Sequence, residues 1–191
     1  MNAFRIILVV ALLLIAGLVG WHLFLRRHGV VRRYPAGIVM HHTATPPTLN
    51  GKPVDVATID AMHALRGFSV TDGDGHRYHI AYHYLVQQDG AILPGRPEHL
   101  RGAHAQGHTD MLGIALVGNF QRSSNRGRCG PLTPPPAQLH AAAALTRRLM
   151  KKYGLSVSDV YLHRDLTPTA CPGDGFPRAE FYRDISRPES R

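Results

Sequence analysis

The sequence predicts an α/β fold, a sheet packed by helices, with one apolar N-terminal helix ahead of it. Three observations predict it. Apolar runs of strand length recur at Ile38–His42, Ile80–Val86, Gly113–Val117 and Val160–His163. Between them, stretches beginning at Asp55 and Thr133 carry apolar residues at helical spacing. Upstream, Ile6 to Leu25 holds no charge and only His22 as a polar residue. That is about the length of a bilayer-spanning helix.

Composition narrows the class. Of 191 residues, 44% are hydrophobic and 18% charged, which excludes a disordered chain or a coiled coil. The roughly 160 residues after the apolar segment suffice for one domain with its own core. The net charge of +9 favours an anionic partner, or serves only solubility. Thirteen histidines direct attention to metal or proton chemistry. The two cysteines, Cys129 and Cys171, can pair only in an oxidising compartment. Cys129 lies in a Gly/Arg loop and reads as a free surface thiol.

Taken in order, Ile6–Leu25 reads as an uncleaved anchor, because Gly17-Leu-Val-Gly20 fits a small-residue cleavage pattern poorly. Arg26, Arg27, Arg32 and Arg33 follow it against Arg5 before it, and the positive-inside rule then points the main domain to the cytoplasm. Ile38–His42 is a buried strand whose neighbours alternate, so His41 and His42 cannot face the same metal. Thr45–Pro53 is a loop. Asp55 caps a helix to about Arg66, with Ile59, His63 and Arg66 on one side. Ser69–His79 is a loop or small hairpin. Ile80–Val86 is a strand, Asp89-Gly90 a turn, and Ala91–Leu93 the returning strand. Gly95–Asp110 is irregular, Gly113–Val117 a central strand, and Asn119–Pro131 a basic loop. Thr133 caps a helix with Pro134 at its first position; Leu139, Ala142, Leu149 and Tyr153 form its apolar stripe and Gly154 ends it. Val160–His163 is the last strand, and Phe176–Ile185 a short helix or tail.

The chemistry concentrates in Val160–Gly173. A strand ends at His163, and a loop returns a thiol at Cys171. Imidazole and thiolate are zinc's preferred ligands. The best candidate for a third ligand is upstream, in Ile38-Val-Met-His-His-Thr-Ala-Thr45. Two histidines and one cysteine leave one position open for water, the pattern of a catalytic site.

Six segments in order resemble the zinc-dependent N-acetylmuramoyl-L-alanine amidases that share a fold with peptidoglycan recognition proteins and phage lysozyme-amidases. They are Ile38–Thr45; Ile80–Val86 with Gln88-Asp-Gly90; Gly95-Arg96; Gly102-Ala-His-Ala105; Leu112–Asn119; and His163–Gly173. The resemblance implies a central mixed β-sheet packed by helices, with His41, His163 and Cys171 as ligands of Zn2+. Tyr82 matches the catalytic tyrosine. Thr169 falls where some members carry lysine and others threonine. His63, Arg66 and His104 match positions that line the peptide-stem cleft. Gly67-Phe68 resembles a pair that goes with diaminopimelate stems. No role attaches to His83, His99 or His108.

The implied reaction is hydrolysis of the amide between N-acetylmuramic acid and L-alanine in peptidoglycan or muropeptides. The implied plan is an anchor and basic flank over residues 1–27, a linker over 28–37, a zinc amidase domain over 38–185 and a tail over 186–191. A monomer is expected, held to the membrane by its N-terminal helix, with the catalytic domain in the periplasm or cell envelope, where the polymer lies. Two alternatives stand beside this: a peptidoglycan-binding module without catalysis, and an amidase that recycles muropeptides in the cytoplasm. No helix-turn-helix or zinc-finger spacing supports specific nucleic-acid binding.

Overall fold

The computed structural model describes residues 11–21 and 34–187. The chain divides into two units, Met1–Arg33 and Tyr34–Arg191. In the first, residues 11–21 are helical. At 1.5 Å per residue these described positions span roughly 16 Å, about half the hydrocarbon thickness of a bilayer. Among the described residues no helix is long and apolar enough to cross a membrane. This overturns the membrane-anchored location, and the extracytoplasmic placement tied to it falls as well. Positions 6–10 and 22–25 of the apolar run lie outside the described residues.

The second unit is built on a five-stranded mixed sheet. In chain order its strands are β1 (Ile38–His42), β6 (Tyr84–Val86), β7 (Ile92–Pro94), β8 (Leu112–Leu116) and β9 (Val160–Leu162), arranged β7-β6-β8-β1-β9. β1 runs parallel to β8 and β9, β6 runs parallel to β8, and only the β6–β7 edge is antiparallel. β1 and β8 are buried at every position, as strands covered on both faces must be. Among the described residues the remaining strands form two short hairpins: β2 (Thr48–Leu49) with β3 (Lys52–Pro53), and β4 (Val70–Thr71) with β5 (Arg77–Tyr78).

Strand parity sorts the core into two layers. Ile38 and Met40 of β1, with Leu112, Ile114 and Leu116 of β8, face helices α3 (Pro136–Tyr153) and α5 (Arg178–Ile185). Ala115 and Val117 face the other way, toward Val54, Ile59 and Ile80 beside α1 (Val56–Ala64). His41 pairs with Ala115 and shares this second face; His42 lies on the first, where its Nδ1 accepts from Phe120 N.

α1 starts where Asp55 accepts from Thr58 N at 2.8 Å, and Ile59 and His63 are its buried positions. α3 buries Leu139, Ala142, Leu145 and Leu149, and ends at Gly154 in the left-handed region. Its start differs from the sequence expectation. Thr133, Pro134 and Pro135 each precede a proline and are therefore driven out of helical geometry. The helix begins at Pro136, and no side chain caps it.

Two strand boundaries also moved. Ile80–Val86 is strand only from Tyr84, because side chains of α1 take the earlier amides. Asp60 Oδ1 accepts from Ile80 N, and His63 Nδ1 accepts from Ala81 N. The last strand stops at Leu162, and His163 opens a short helix, α4 (His163–Leu166), with Asp165 accepting from Leu162 N. The basic loop contains α2 (Arg122–Asn125), pinned by the buried Asn125 amide to the carbonyls of Asn119 and Gly130.

Candidate active site

The C-terminal ends of β1 and β9 bring the predicted ligands together. His41 is 1% exposed on the α1 face of the sheet. His163 leads α4, with its ring centroid 4.5 Å from that of His41. The loop after α4 returns Cys171, whose Sγ accepts from His42 N at 3.4 Å. Arg164 N donates to Cys171 O, and Thr169 Oγ1 accepts from Cys171 N, so the loop is tied down on both sides of the thiol. Ligand atoms of His41, His163 and Cys171 lie within 4.8 Å of one another.

This geometry fits zinc. Bonds of about 2.0–2.1 Å to nitrogen and 2.3 Å to sulfur at a tetrahedral angle imply an N···S edge of about 3.6 Å. Cys171 Sγ and His41 Nδ1 are 3.6 Å apart. Burial pushes the Cys171 thiol up to about 12; a bound cation inverts that preference and holds a thiolate. Burial, then the neighbouring His104 and His163, keeps His41 well below the usual histidine range, in the neutral form that a metal requires. Both cysteines are free. A second group, His140, Glu180 and Asp184, also converges, but two of the three are exposed and Arg187 already pairs with Asp184 at 3.5 Å.

The other predicted residues surround the triad. The Tyr82 ring lies 5.2 Å from the His41 ring and 5.3 Å from that of His63. Burial, then the nearby Cys171, raises the Tyr82 phenol, so it stays a hydrogen-bond donor. A cleft of about 740 Å³ opens beside the triad, with Arg66, Phe68, His104, His163 and Thr169 among its walls. The Arg66 guanidinium sits 4.9 Å above the Phe68 ring. His63 is buried with Nδ1 committed to Ala81 N, and the cleft lining does not include it.

The profile of the N-acetylmuramoyl-L-alanine amidases matches residues 31–174. The chain belongs to the N-acetylmuramoyl-L-alanine amidase family. This amidase is 31% identical over 136 residues to the endolysin of Enterobacteria phage T3, a match spanning 71% of this chain and 78% of that protein. It is 32% identical over 145 residues to the human N-acetylmuramoyl-L-alanine amidase, a match spanning 73% of this chain but 23% of that longer protein. Among solved structures, the endolysin amidase LysCS from Clostridium intestinale is similar at a TM-score of 0.61 and 33% identity, covering 78% of this chain and 81% of that one. The ectodomain complex of peptidoglycan recognition proteins LCa and LCx, bound to tracheal cytotoxin, matches at a TM-score of 0.56 and 25% identity, covering 78% and 82%.

Sequence reasoning assigned no role to His83, yet it organises the amidase interior. It is 1% exposed, its Nδ1 accepts from Gly113 N, and its Nε2 donates to Leu100 O. His99, by contrast, is exposed. Burial holds His83 at about 4, and burial followed by Arg66 does the same to His63. Folded values below the unfolded value near 6.5 mean that this stability is fully present above pH 6.5 and lost as pH falls toward 4. For His83 alone the loss is on the order of 3 kcal/mol. Urea unfolding of the metal-free chain at pH 7 and pH 4 is expected to reveal it. His83→Asn, which keeps an acceptor near Gly113 N, is expected to flatten the pH dependence; an equally steep loss in that variant removes His83 as its source.

Proposed function

We propose that this chain is a zinc-dependent hydrolase of the amide between N-acetylmuramic acid and L-alanine in peptidoglycan. The observation that carries the reading is the convergence of His41, His163 and Cys171 beside the cleft that His163 helps to line, with the N···S spacing of a tetrahedral zinc site. His41 Nδ1, a His163 nitrogen and Cys171 Sγ would hold the ion. Zinc supplies a Lewis acid that polarises a carbonyl and lowers the pKa of water toward about 7.

The remaining work falls to the protein. The Tyr82 phenol donates to the oxygen that gains charge as the amide carbonyl becomes tetrahedral. The Thr169 hydroxyl accepts from Cys171 N; its own proton is left to donate toward the cleft. Arg66, braced on Phe68, presents a cation to the acidic peptide stem. His42 N, donating to Cys171 Sγ, stabilises charge on the sulfur.

A recognition-only module is less supported, because it has no need of a thiol set beside two imidazoles. Metal analysis of the purified chain, with release of stem peptide from a muropeptide, tests the proposal. Expected are about one zinc per chain and peptide release that stops on chelation and returns with zinc. Release that persists without metal would sink the zinc reading, and metal without release would leave a binding module.

A further inference from the structure

We propose that His104 is a positioning residue, fixing the ring of His41 so that Nδ1 presents a bare lone pair to the metal, rather than a contact for substrate. The inference rests on the zinc reading above for its consequence, but its structural content can be tested without metal.

The argument runs inward from a carbonyl. Met111 O can only accept, so His104 Nε2, 2.9 Å from it, carries the proton and donates. In a neutral ring, His104 Nδ1 is then an acceptor. His41 Nε2 lies 3.0 Å from it and must donate. His41 Nδ1 is left without a proton, and it is this atom that faces Cys171 Sγ at 3.6 Å. The alternative is an imidazolium at His104 donating at both nitrogens. That would enclose a charge in a ring 8% exposed, between a carbonyl and a second imidazole, which is costly.

The fold also builds a slot for this ring. A Cβ at Gly102 would stand 2.5 Å from His104 Cδ2, and one at Gly113 would stand 2.4 Å from the same atom. Both distances are far inside contact, so each glycine is needed for the imidazole to lie where it does. One comes from the irregular segment and the other from the central strand β8. His104 does reach the cleft wall, but both its nitrogens are committed inside the protein. A hydrogen bond from it to substrate would require breaking one of these links. Oriented partners of metal-bound histidines typically change affinity by about 10–100-fold when removed.

The test uses the full chain. In metal-free wild type, ¹⁵N spectra are expected to place the proton of His41 and of His104 on Nε2, with the His41 Nε2–H protected from exchange by its acceptor. His104→Leu is expected to lose that protected signal and to weaken zinc binding, read by chelator competition, by about 10–100-fold. His104→Asn, whose Oδ1 can stand in for Nδ1, is expected to recover most of the affinity. A proton on His41 Nδ1 in wild type overturns the inference even if no variant folds. So does His104→Leu with wild-type zinc affinity and a raised KM, which would make His104 a substrate contact. If wild type binds no zinc, the metal reading fails, while the ¹⁵N spectra still decide the role of His104.

Discussion

Cys171→Ser is expected to remove zinc from the purified protein and reduce peptide release by at least about 10³-fold. The two side chains are nearly the same size, so packing is little disturbed. Their chemistry is not the same. A thiolate is a strong zinc ligand at about 2.3 Å, whereas a serine hydroxyl stays protonated near neutral pH and offers only a weak donor. The cost should exceed the roughly 10–100-fold that follows loss of an orienting partner, because a ligand itself is lost. Thermal unfolding supplies an independent reading. Zinc at about 1,000 times its Kd stabilises the native state by about 4.1 kcal/mol. In a domain of this size that corresponds to a rise in Tm on the order of 10 °C. Wild type should show that rise on addition of zinc and the variant should not. Undiminished zinc content in Cys171→Ser would exclude the thiol as a ligand.

Legibility in the sequence followed the range of the interactions involved. β1 and β8 could be read because a strand buried on both faces leaves a continuous apolar run, and its residues say so locally. Parity along β1 separated His41 from His42 without further information. The Asp55 cap and the Gly154 stop were legible for the same reason. Errors arose where a local signal met a competing constraint. Thr133 has a capping side chain, but three prolines in a row postpone the helix. Ile80 and Ala81 have strand composition, but Asp60 and His63 claim their amides from across the fold. The N-terminal run has the composition of a membrane span, but among the described residues no helix is long and apolar enough to cross a membrane.

The candidate ligands could be picked out in the sequence, and the contacts around them could not. His41, His163 and Cys171 carry residue types and an order that point to metal chemistry. Nothing in the string indicates that Met111 offers a carbonyl to His104, or that Gly102 and Gly113 clear a slot for its ring. Those facts depend on one turn of irregular chain settling against the central strand. The same limit hid His83, whose ring hydrogen bonds join β8 to the segment around Leu100.

Tyr82→Phe separates binding of the metal from use of it. The substitution deletes one oxygen and keeps the ring that packs on His41 and His63. Zinc content should therefore be unchanged, and Tm nearly so. Turnover is expected to fall by about 10²–10³-fold, the usual cost of about 2.7–4 kcal/mol for one donor to a developing oxyanion. Burial is the reason to expect the full effect. A donor in a desolvated site faces little competition from water, and the raised pKa of this phenol keeps its proton in place across the working pH range. The loss should appear in kcat more than in KM, because the bond strengthens only as charge builds on the carbonyl oxygen. If kcat survives the change, Tyr82 is an aromatic packed on His41 and His63, and the oxyanion must find its donor elsewhere. Thr169, whose hydroxyl retains a free proton after accepting from Cys171 N, would then be the residue to substitute next.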